Sequence, residues 1–573
     1  MAISSQSFSP SFILTRHDST RPTRLPSRFT FTHFRKIQTR SASPRFSVSS
    51  RLNSSKSSDA GGSISPDNGD VTYELHHDLS PQRRRRGSPV FVTLPVKSIG
   101  REGKIWRPKA MMLSLKAMAA AGVEGVVVEI WWGVVERNEP RVYDWRGYRE
   151  LVMMACMCGL KVRAVLAFHQ HGTDGDDLNG YFFSCHKPQT LEGSPSLCRI
   201  PLPLWVLDEM QKDPDLAFSD RFGRRNTEYI SLGCDILPVL RGRSPIQVYA
   251  DFMRDFRDTF RPFLGTIITG VQIGMGPGGE LRYPSLSLQK LNLDWSRELG
   301  EFQCYDKYML ASLNASARNI GKREWGNGGP SGAGSLIQNP ERTEFFRNEG
   351  GSWNMPYGKF FLEWYSDMLL LHGERICREA ETIFRGTEVH ISAKLAAIHW
   401  HYVTQSHPSE VTAGYYNTFK RDGYLPILRM FSKYGFSMCC SCFEMQDIVM
   451  KKINPDCSPE GFLRQLLLDA RLCDISLEGQ NFSTDLDDDG FTQVLKMSKY
   501  YSDGIERRPF SFNFVRMDKN MFEPRNWDRF TRFVRRMSDG NMFRARLNSV
   551  GKLRLKTTVA AEVGLLYQLY QYS

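Results

Sequence analysis

The stretch 123-VEGVVVEIWW-132 is apolar along most of its length and is short enough to be a single β-strand. The next segment, 145-WRGYRELVMMACMCG-159, has apolar residues at helical spacing, and 160-LKVRAVLAFH-169 then repeats the first pattern. A strand, a helix and a second strand in this order predict a βαβ unit with parallel strands. Strands that are apolar on both faces indicate a sheet covered by helices.

The same alternation continues through most of the chain. Strand patterns occur at 89–96, 123–132, 160–169, 266–276, 388–400, 436–445, 474–481 and 510–518. Helical patterns separate or follow them at 107–122, 145–159, 246–260, 357–384, 424–434, 458–472, 488–499 and 526–538. Eight such units predict an α/β fold of the (β/α)8 TIM barrel type, with long loops at its C-terminal face. An open doubly wound sheet is the alternative, but no glycine-rich phosphate loop follows the first strand.

Composition separates further regions from this barrel, which is predicted over 89–540. Residues 1–58 contain ten Lys/Arg and one acid, and their Ser/Thr-rich composition predicts an organelle transit peptide, with a disordered tail as the alternative. Residues 59–88 are predicted to be a disordered linker, and 541–573 form a C-terminal tail of unassigned role.

Charge and cysteine usage exclude several classes of protein. Residues 1–58 carry +9 of the total formal charge of +13, so only +4 remains for the rest, and no nucleic-acid surface is predicted. No run of 18 or more apolar residues exists, so no membrane span is predicted. The 12 cysteines lie in apolar segments and lack partners at zinc spacing, which predicts reduced thiols and neither a metal nor a cofactor.

The C-terminal ends of barrel strands carry function in this fold. The side chains found there are carboxyl, indole, imidazole, amide and cationic groups, namely Glu129, Trp131, Trp132, His169, Glu280, Lys394, His399, Trp400, Ser441, Glu444, Gln480, Asn481 and Arg516. Aromatic faces stack on sugar rings and polar side chains bind hydroxyls, so this set predicts a sugar polymer as the ligand. Taken singly, most of these residues would be structural, and it is their convergence on one face that carries the prediction.

Several long motifs are distinctive. They read 131-WWGVVE-136, 224-RRNTEYISLGCD-235, 274-GMGPGGELRYPS-285, 302-FQCYDKYM-309, 394-KLAAIHWHY-402, 412-TAGYYNT-418 and 422-DGYLPI-427. Over about residues 88–540 the chain resembles the plant β-amylases, the glycoside hydrolase family 14 of 1,4-α-glucan maltohydrolases. The resemblance implies a (β/α)8 barrel that acts on starch. It also implies that the leader directs the protein to the chloroplast stroma, as in plastid members of the family.

The resemblance also implies catalytic roles. Family enzymes release β-maltose from non-reducing chain ends with inversion, which requires a general acid and a general base. Their acid, the glutamate of the GELRYP motif, corresponds to Glu280. Their base belongs to a GENA motif that here reads 479-GQNF-482, so that Gln480 occupies the base position. Because an amide cannot accept the proton of water, the protein is predicted to be inactive or strongly impaired, like plastid members that lack a catalytic glutamate.

The family's sugar contacts imply a set of substrate-binding residues, namely Glu129, His169, Lys394, His399, Trp400, Ser441, Asn481 and Arg516. Glu129 stands where the family has a shorter aspartate and is expected to crowd the sugar, while Ser441 replaces a threonine. The lid after the third strand, 171-HGTDGDDLNGYFFSCHKPQTLEGSPSLCR-199, is longer than the family pattern. Its catalytic aspartate cannot be chosen among Asp174, Asp176 and Asp177.

Three functions remain open from the sequence. The first is a glucan-binding or regulatory protein of starch breakdown, with starch, malto-oligosaccharides and active amylases or other starch enzymes as partners. The second is a working maltohydrolase that uses a substitute base, such as Asp485 or an aspartate of the lid. The third is an interaction or transcriptional protein, against which the lack of a DNA-binding motif in residues 1–88 counts.

Overall fold

The computed structural model describes residues 87–172, 199–285, 299–335, 338–483, 486–502 and 509–539. The predicted transit peptide, the linker up to residue 86 and the C-terminal tail lie outside these ranges. Within them, no helix has the length and apolar character needed to cross a membrane. In the same ranges no three His, Cys, Asp or Glu side chains are grouped so that they could hold a metal ion.

Eight parallel strands form a closed barrel, which confirms the predicted fold. They are β1 Val90–Thr93, β2 Gly125–Trp131, β3 Lys161–Ala167, β4 Ile268–Ile273, β5 His390–Lys394, β6 Ser437–Cys440, β7 Leu477–Gln480 and β8 Phe510–Phe514. Each strand pairs with its neighbours in chain order, and β8 closes the barrel by pairing with β1. All eight C-terminal ends therefore meet at one mouth.

Eight of the helices in the described ranges surround these strands. They are α1 Pro108–Ala121, α2 Arg146–Met157, α3 Pro245–Phe260, α4 Pro356–Phe384, α5 Leu425–Lys433, α6 Pro459–Leu472, α7 Asp488–Ser502 and α8 Pro524–Ser538. Local sequence sets their ends: at α3, the Ser244 side chain accepts from the Gln247 amide and the Gln247 side chain accepts from the Ser244 amide, which is a capping box. At the other end of a helix, Gly122 terminates α1 with a φ of 84°.

Two predicted loops contain structure that the sequence pattern did not indicate. The segment between β3 and α3 holds helix Leu204–Lys212 and an antiparallel hairpin of strands Ala217–Ser219 and Arg225–Ile230. The segment between β4 and α4 holds helix Lys307–Asn319. Shorter helices occur at Trp132–Val135, Pro408–Thr412 and Asp447–Met450.

Strands β5 and β8 end earlier than predicted. β5 ends at Lys394 and not at Trp400, and β8 ends at Phe514, before Arg516. The apolar pattern continues past both ends because the following turns are also buried, as shown by Trp400, which is 3% exposed, and Met517, which is 1% exposed. The apolar pattern therefore predicted correctly which residues are buried, but it predicted strands longer than those in the structure.

A buried carboxyl group beside a partly exposed one makes stability depend on pH. Burial and the neighbouring charge of Asp422 raise the pKa of Asp469, on α6, from 3.8 to about 7. Between about pH 4 and pH 7 the folded protein keeps a proton that the unfolded chain releases, so stability falls as the pH rises through this window. We expect Asp469→Asn to raise the free energy of unfolding at pH 8 by roughly 1–3 kcal/mol, because it removes the buried charge.

Urea unfolding of both proteins at pH 5 and pH 8 measures this effect. The gain is expected to be small at pH 5, where the Asp469 carboxyl is protonated and resembles the amide. The control is Asp208→Asn, which makes the same substitution at a side chain that is 61% exposed and so removes no buried charge. An equal gain for Asp469→Asn at both pH values would show that ionisation of Asp469 is not the cause.

Candidate active site

Glu280 reaches the barrel mouth on a glycine turn that follows β4. Gly278 and Gly279 have φ angles of 62° and 75°, which favour glycine. A Cβ on Gly279 would lie 3.4 Å from Cε1 of His169, so the turn packs closely against that imidazole. The backbone amide of Leu281, the residue after Glu280, donates to the carbonyl of Lys394 over 2.9 Å. This hydrogen bond places Glu280 beside the end of β5.

Two cations hold Glu280 as an anion. Nε of Arg282 donates to its Oε2 over 2.8 Å, and Nζ of Lys394 lies 3.2 Å from its Oε1. Burial opposes ionisation of Glu280, but the charges and hydrogen bonds of Lys394 and Arg282 outweigh it and hold the pKa of Glu280 below its usual value. A proton donor at neutral pH needs a raised pKa. Glu280 is therefore held as an anion near neutral pH and is not set to donate a proton.

Gln480 is the last residue of β7, and its side chain faces Ser441. The Ser441 hydroxyl donates to Oε1 of Gln480 over 3.4 Å. One strand, β6, separates β7 from β5, and the register aligns Lys394 with Cys439 and Cys439 with Glu478. Gln480 therefore lies two residues further along its strand than the level of Lys394, towards the barrel mouth.

Glu129 and Arg516 form an ion pair with two hydrogen bonds, of 2.9 and 3.1 Å. Nη1 of Arg516 also donates to the carbonyl of Leu94 over 3.0 Å. Burial opposes ionisation of Glu129, but the charge of Arg516 and its hydrogen bonds lower the pKa of Glu129 overall. Both residues were predicted to bind sugar, and a sugar hydroxyl that binds here has to compete with this ion pair.

Two histidines flank the indole of Trp131. Ring centroids of His169 and His171 lie 5.2 and 5.5 Å from it. Burial lowers the pKa of His169 to about 3 and that of His171 to about 4, although the charge of Glu129 opposes the shift in both. Both rings are therefore neutral near pH 7 and offer one hydrogen-bond donor and one acceptor each.

Three other predicted contacts are engaged within the protein. The Asn481 side-chain amide donates to the carbonyls of Ser483 and Val515, and its oxygen accepts from the Val515 amide. The rings of His399 and Trp400 stack at 4.8 Å and are 0% and 3% exposed. In this structure the three side chains hold the loops around the mouth, and their binding of sugar stays a prediction.

Three charged or polar residues of this region were not predicted to belong to the site, namely His171, Glu228 and Arg282, whereas Glu444 was named among the strand-end side chains. Arg282 lies in the same motif as Glu280, so its position two residues from Glu280 could have indicated that it belongs to the site. Glu444 accepts the amides of Phe482 and Ser483 over 2.6 and 2.5 Å and so anchors the chain just after Gln480. Burial raises the pKa of Glu444 to about 7.

The candidate substitute bases cannot be placed in this geometry. Asp485 and the lid aspartates Asp174, Asp176 and Asp177 fall in 173–198 and 484–485, outside the described residues.

A closed (β/α)8 barrel with buried carboxylates, cations and aromatic rings at its mouth is an architecture that glycoside hydrolases share with other enzymes. The sequence profile of glycosyl hydrolase family 14 matches residues 91–542. "Beta-amylase 1, chloroplastic" of Arabidopsis thaliana is 47% identical over 459 residues, which cover 79% of this chain and 76% of that protein. "Beta-amylase 2, chloroplastic" of Oryza sativa subsp. japonica is 46% identical over 474 residues, covering 82% and 80%.

The chain therefore belongs to glycosyl hydrolase family 14, the β-amylase family of starch metabolism. Among solved structures, the catalytic domain of the β-amylase from Paenibacillus polymyxa is similar, with a TM-score of 0.60 and 23% identity. The match covers 78% of this chain and 98% of that domain, and it shows the shared fold.

Proposed function

We propose that this protein binds the 1,4-α-glucan chains of starch and hydrolyses them very slowly or not at all. The observation that carries the proposal is the amide of Gln480 at the end of β7, in a mouth that also contains Glu280, Lys394 and Ser441. Glutamine has nearly the shape of glutamate, so it can hold water or a sugar hydroxyl. It cannot take up the proton that hydrolysis releases.

Inverting hydrolysis requires two proton transfers, and both are impaired here. Glu280 would have to protonate the leaving oxygen while a base deprotonates the water that attacks the opposite face of the ring. Gln480 can orient that water but cannot deprotonate it. Glu280 is held as an anion by Lys394 and Arg282 and must first gain a proton. A carboxylate at position 480 would raise the pKa of Glu280 by adding a like charge, so the amide removes both the base and support for the acid.

The biological role that fits these properties is regulation of starch breakdown in the chloroplast stroma. The basic, Ser/Thr-rich composition of residues 1–58 and the chloroplastic names of the two relatives support this location. The partners are starch and malto-oligosaccharides, together with active amylases or other starch enzymes that meet the protein on the same glucan. The proposal involves neither nucleic acid, nor membrane, nor cofactor.

Calorimetric titration of the full chain with maltoheptaose tests whether the mouth binds glucan. We expect the parent to bind and Lys394→Ala to weaken binding about tenfold, because a charged hydrogen-bonding group contributes roughly 1.5–3 kcal/mol. The matched control is Lys433→Ala, since Lys433 is paired with Glu374 on the outer surface of the barrel. Absence of binding by the parent, or equal weakening by both variants, would contradict the proposal.

A further inference from the structure

A buried glutamate lies behind the turn that carries Glu280. Glu228 is in the hairpin strand Arg225–Ile230 and is only 3% exposed. Its Oε1 accepts from the amide of Gly278 over 2.9 Å. Its Oε2 is buried and has no hydrogen-bond partner among the described residues. Burial of a carboxyl oxygen without a partner costs free energy of folding, which suggests that Glu228 has a specific function at this position.

The amide that Glu228 holds lies next to the carboxylate of Glu280. A Cβ on Gly278 would be 3.8 Å from Oε2 of Glu280 and 3.8 Å from Nη2 of Arg282. A displacement of Gly278 would therefore change the packing around the carboxylate of Glu280 and the guanidinium of Arg282.

The same residue also supports the imidazole side of the mouth. The backbone carbonyl of Glu228 accepts from the Gln170 amide over 2.9 Å, and Gln170 follows His169 in the chain. Gly279, in turn, packs against the ring of His169. One residue of the hairpin thus fixes two segments that meet at Glu280.

The charges around Glu228 couple it to Glu280. Burial raises the pKa of Glu228 to about 7, against the opposing effects of Arg282 and of the Gly278 hydrogen bond, while the charge of Glu280 raises it further. The two carboxyl groups thus compete for the positive charge of Arg282, and Glu228 retains its proton more readily than Glu280.

We propose that Glu228 is a positioning residue of the glucan site, which holds the Gly278 amide and thereby fixes the turn that presents Glu280. The inference rests on the proposed function for its link to glucan binding. The role of Glu228 in holding the turn can be tested without any ligand.

Three variants separate the hydrogen bond from the charge. Glu228→Gln keeps an acceptor oxygen at the same reach, Glu228→Asp keeps a carboxyl group but shortens the side chain, and Glu228→Ala removes both. The matched control is Asp306→Ala, since Asp306 is also buried and also accepts backbone amides, those of Tyr308 and Met309, but at the start of helix Lys307–Asn319.

Hydrogen–deuterium exchange of the peptide 274–283 is the first measurement. We expect about tenfold faster exchange in Glu228→Ala and Glu228→Asp, in keeping with the loss of one buried hydrogen bond, and protection close to that of the parent in Glu228→Gln. Asp306→Ala should leave this peptide unchanged. Unchanged exchange in both Glu228→Asp and Glu228→Ala would overturn the inference. Loss of protection in Glu228→Gln equal to that in Glu228→Ala would also overturn it.

Maltoheptaose affinity is the second measurement. We expect Glu228→Ala and Glu228→Asp to bind about tenfold more weakly than the parent, Glu228→Gln to stay within about twofold, and Asp306→Ala to bind like the parent. If the parent itself does not bind maltoheptaose, the proposed function is wrong, and the exchange result still decides the role of Glu228. If Glu228→Ala does not fold, Glu228→Gln and Glu228→Asp are compared with each other in both the exchange and the affinity measurements.

Discussion

Gln480→Glu is expected to raise the rate of maltose release from soluble starch by about 10²–10⁴-fold, the usual contribution of a general base. The new carboxylate would deprotonate the attacking water and, as a like charge, raise the pKa of Glu280 toward the range of a proton donor. The Ser441 hydroxyl that now donates to the Gln480 oxygen can donate equally to a carboxylate. The measurement is initial maltose release, with the anomer of the first product read by NMR.

Two controls make this result specific. Adding Glu280→Gln to Gln480→Glu is expected to abolish the gain, because the acid is then missing. Gln211→Glu makes the same chemical change at an exposed position of helix Leu204–Lys212 and should not activate the protein. If Gln480→Glu binds maltoheptaose as the parent does but stays inactive, the missing base is not the main block. The ion pair of Glu129 and Arg516 would then be the next feature to alter.

Arg516→Ala is expected to lower the free energy of unfolding by about 2 kcal/mol, less than the roughly 3–5 kcal/mol for breaking a fully buried ion pair, because both side chains are 20% exposed. The reason is that the Glu129 carboxylate, now bound by two hydrogen bonds, would be left largely buried without its cation. Glu129→Gln should cost less, because the amide oxygen can still accept from the guanidinium. Urea unfolding at pH 7 measures both variants.

The double variant Glu129→Gln with Arg516→Ala tests whether this pair is the cause. It should be less destabilised than the sum of the two single variants, since no charge is then left unpaired. Arg532→Ala is the exposed control, because the Arg532 side chain is 56% exposed and its pair with Asp528 should contribute less than about 1 kcal/mol. Simple additivity of the two single variants would show that the ion pair does not act as a unit.

The barrel could be predicted from sequence because its strands are buried on both faces and alternate with amphipathic helices. The Ala217–Ser219 and Arg225–Ile230 hairpin could not, because its strands are short and Arg225–Ile230 is exposed at one end and buried at the other. Because the hairpin was not predicted, Glu228 was not predicted to lie at the site either, since its contact with Gly278 depends on the hairpin packing against that turn.

The site residues were located by motif, but their pairings required the fold. Glu129 and Arg516 are 387 positions apart in the chain, and only the closure of β8 onto β1 brings them together. A sequence also does not show which way a side chain points after its strand has ended. His399 and Asn481 both follow strands, yet both are buried, with Nδ1 of His399 against the carbonyl of Ala397 and the Asn481 amide donating to the carbonyl of Ser483.

The most direct measurement is maltose release by the full-length parent at saturating soluble starch, with maltoheptaose binding measured on the same preparation. The expected result is clear binding together with release at least about 10²-fold below that of Gln480→Glu. Release by the parent at the rate of Gln480→Glu would contradict the claim that Gln480 prevents hydrolysis. Another group, such as Asp485 or a lid aspartate, would then have to act as the base.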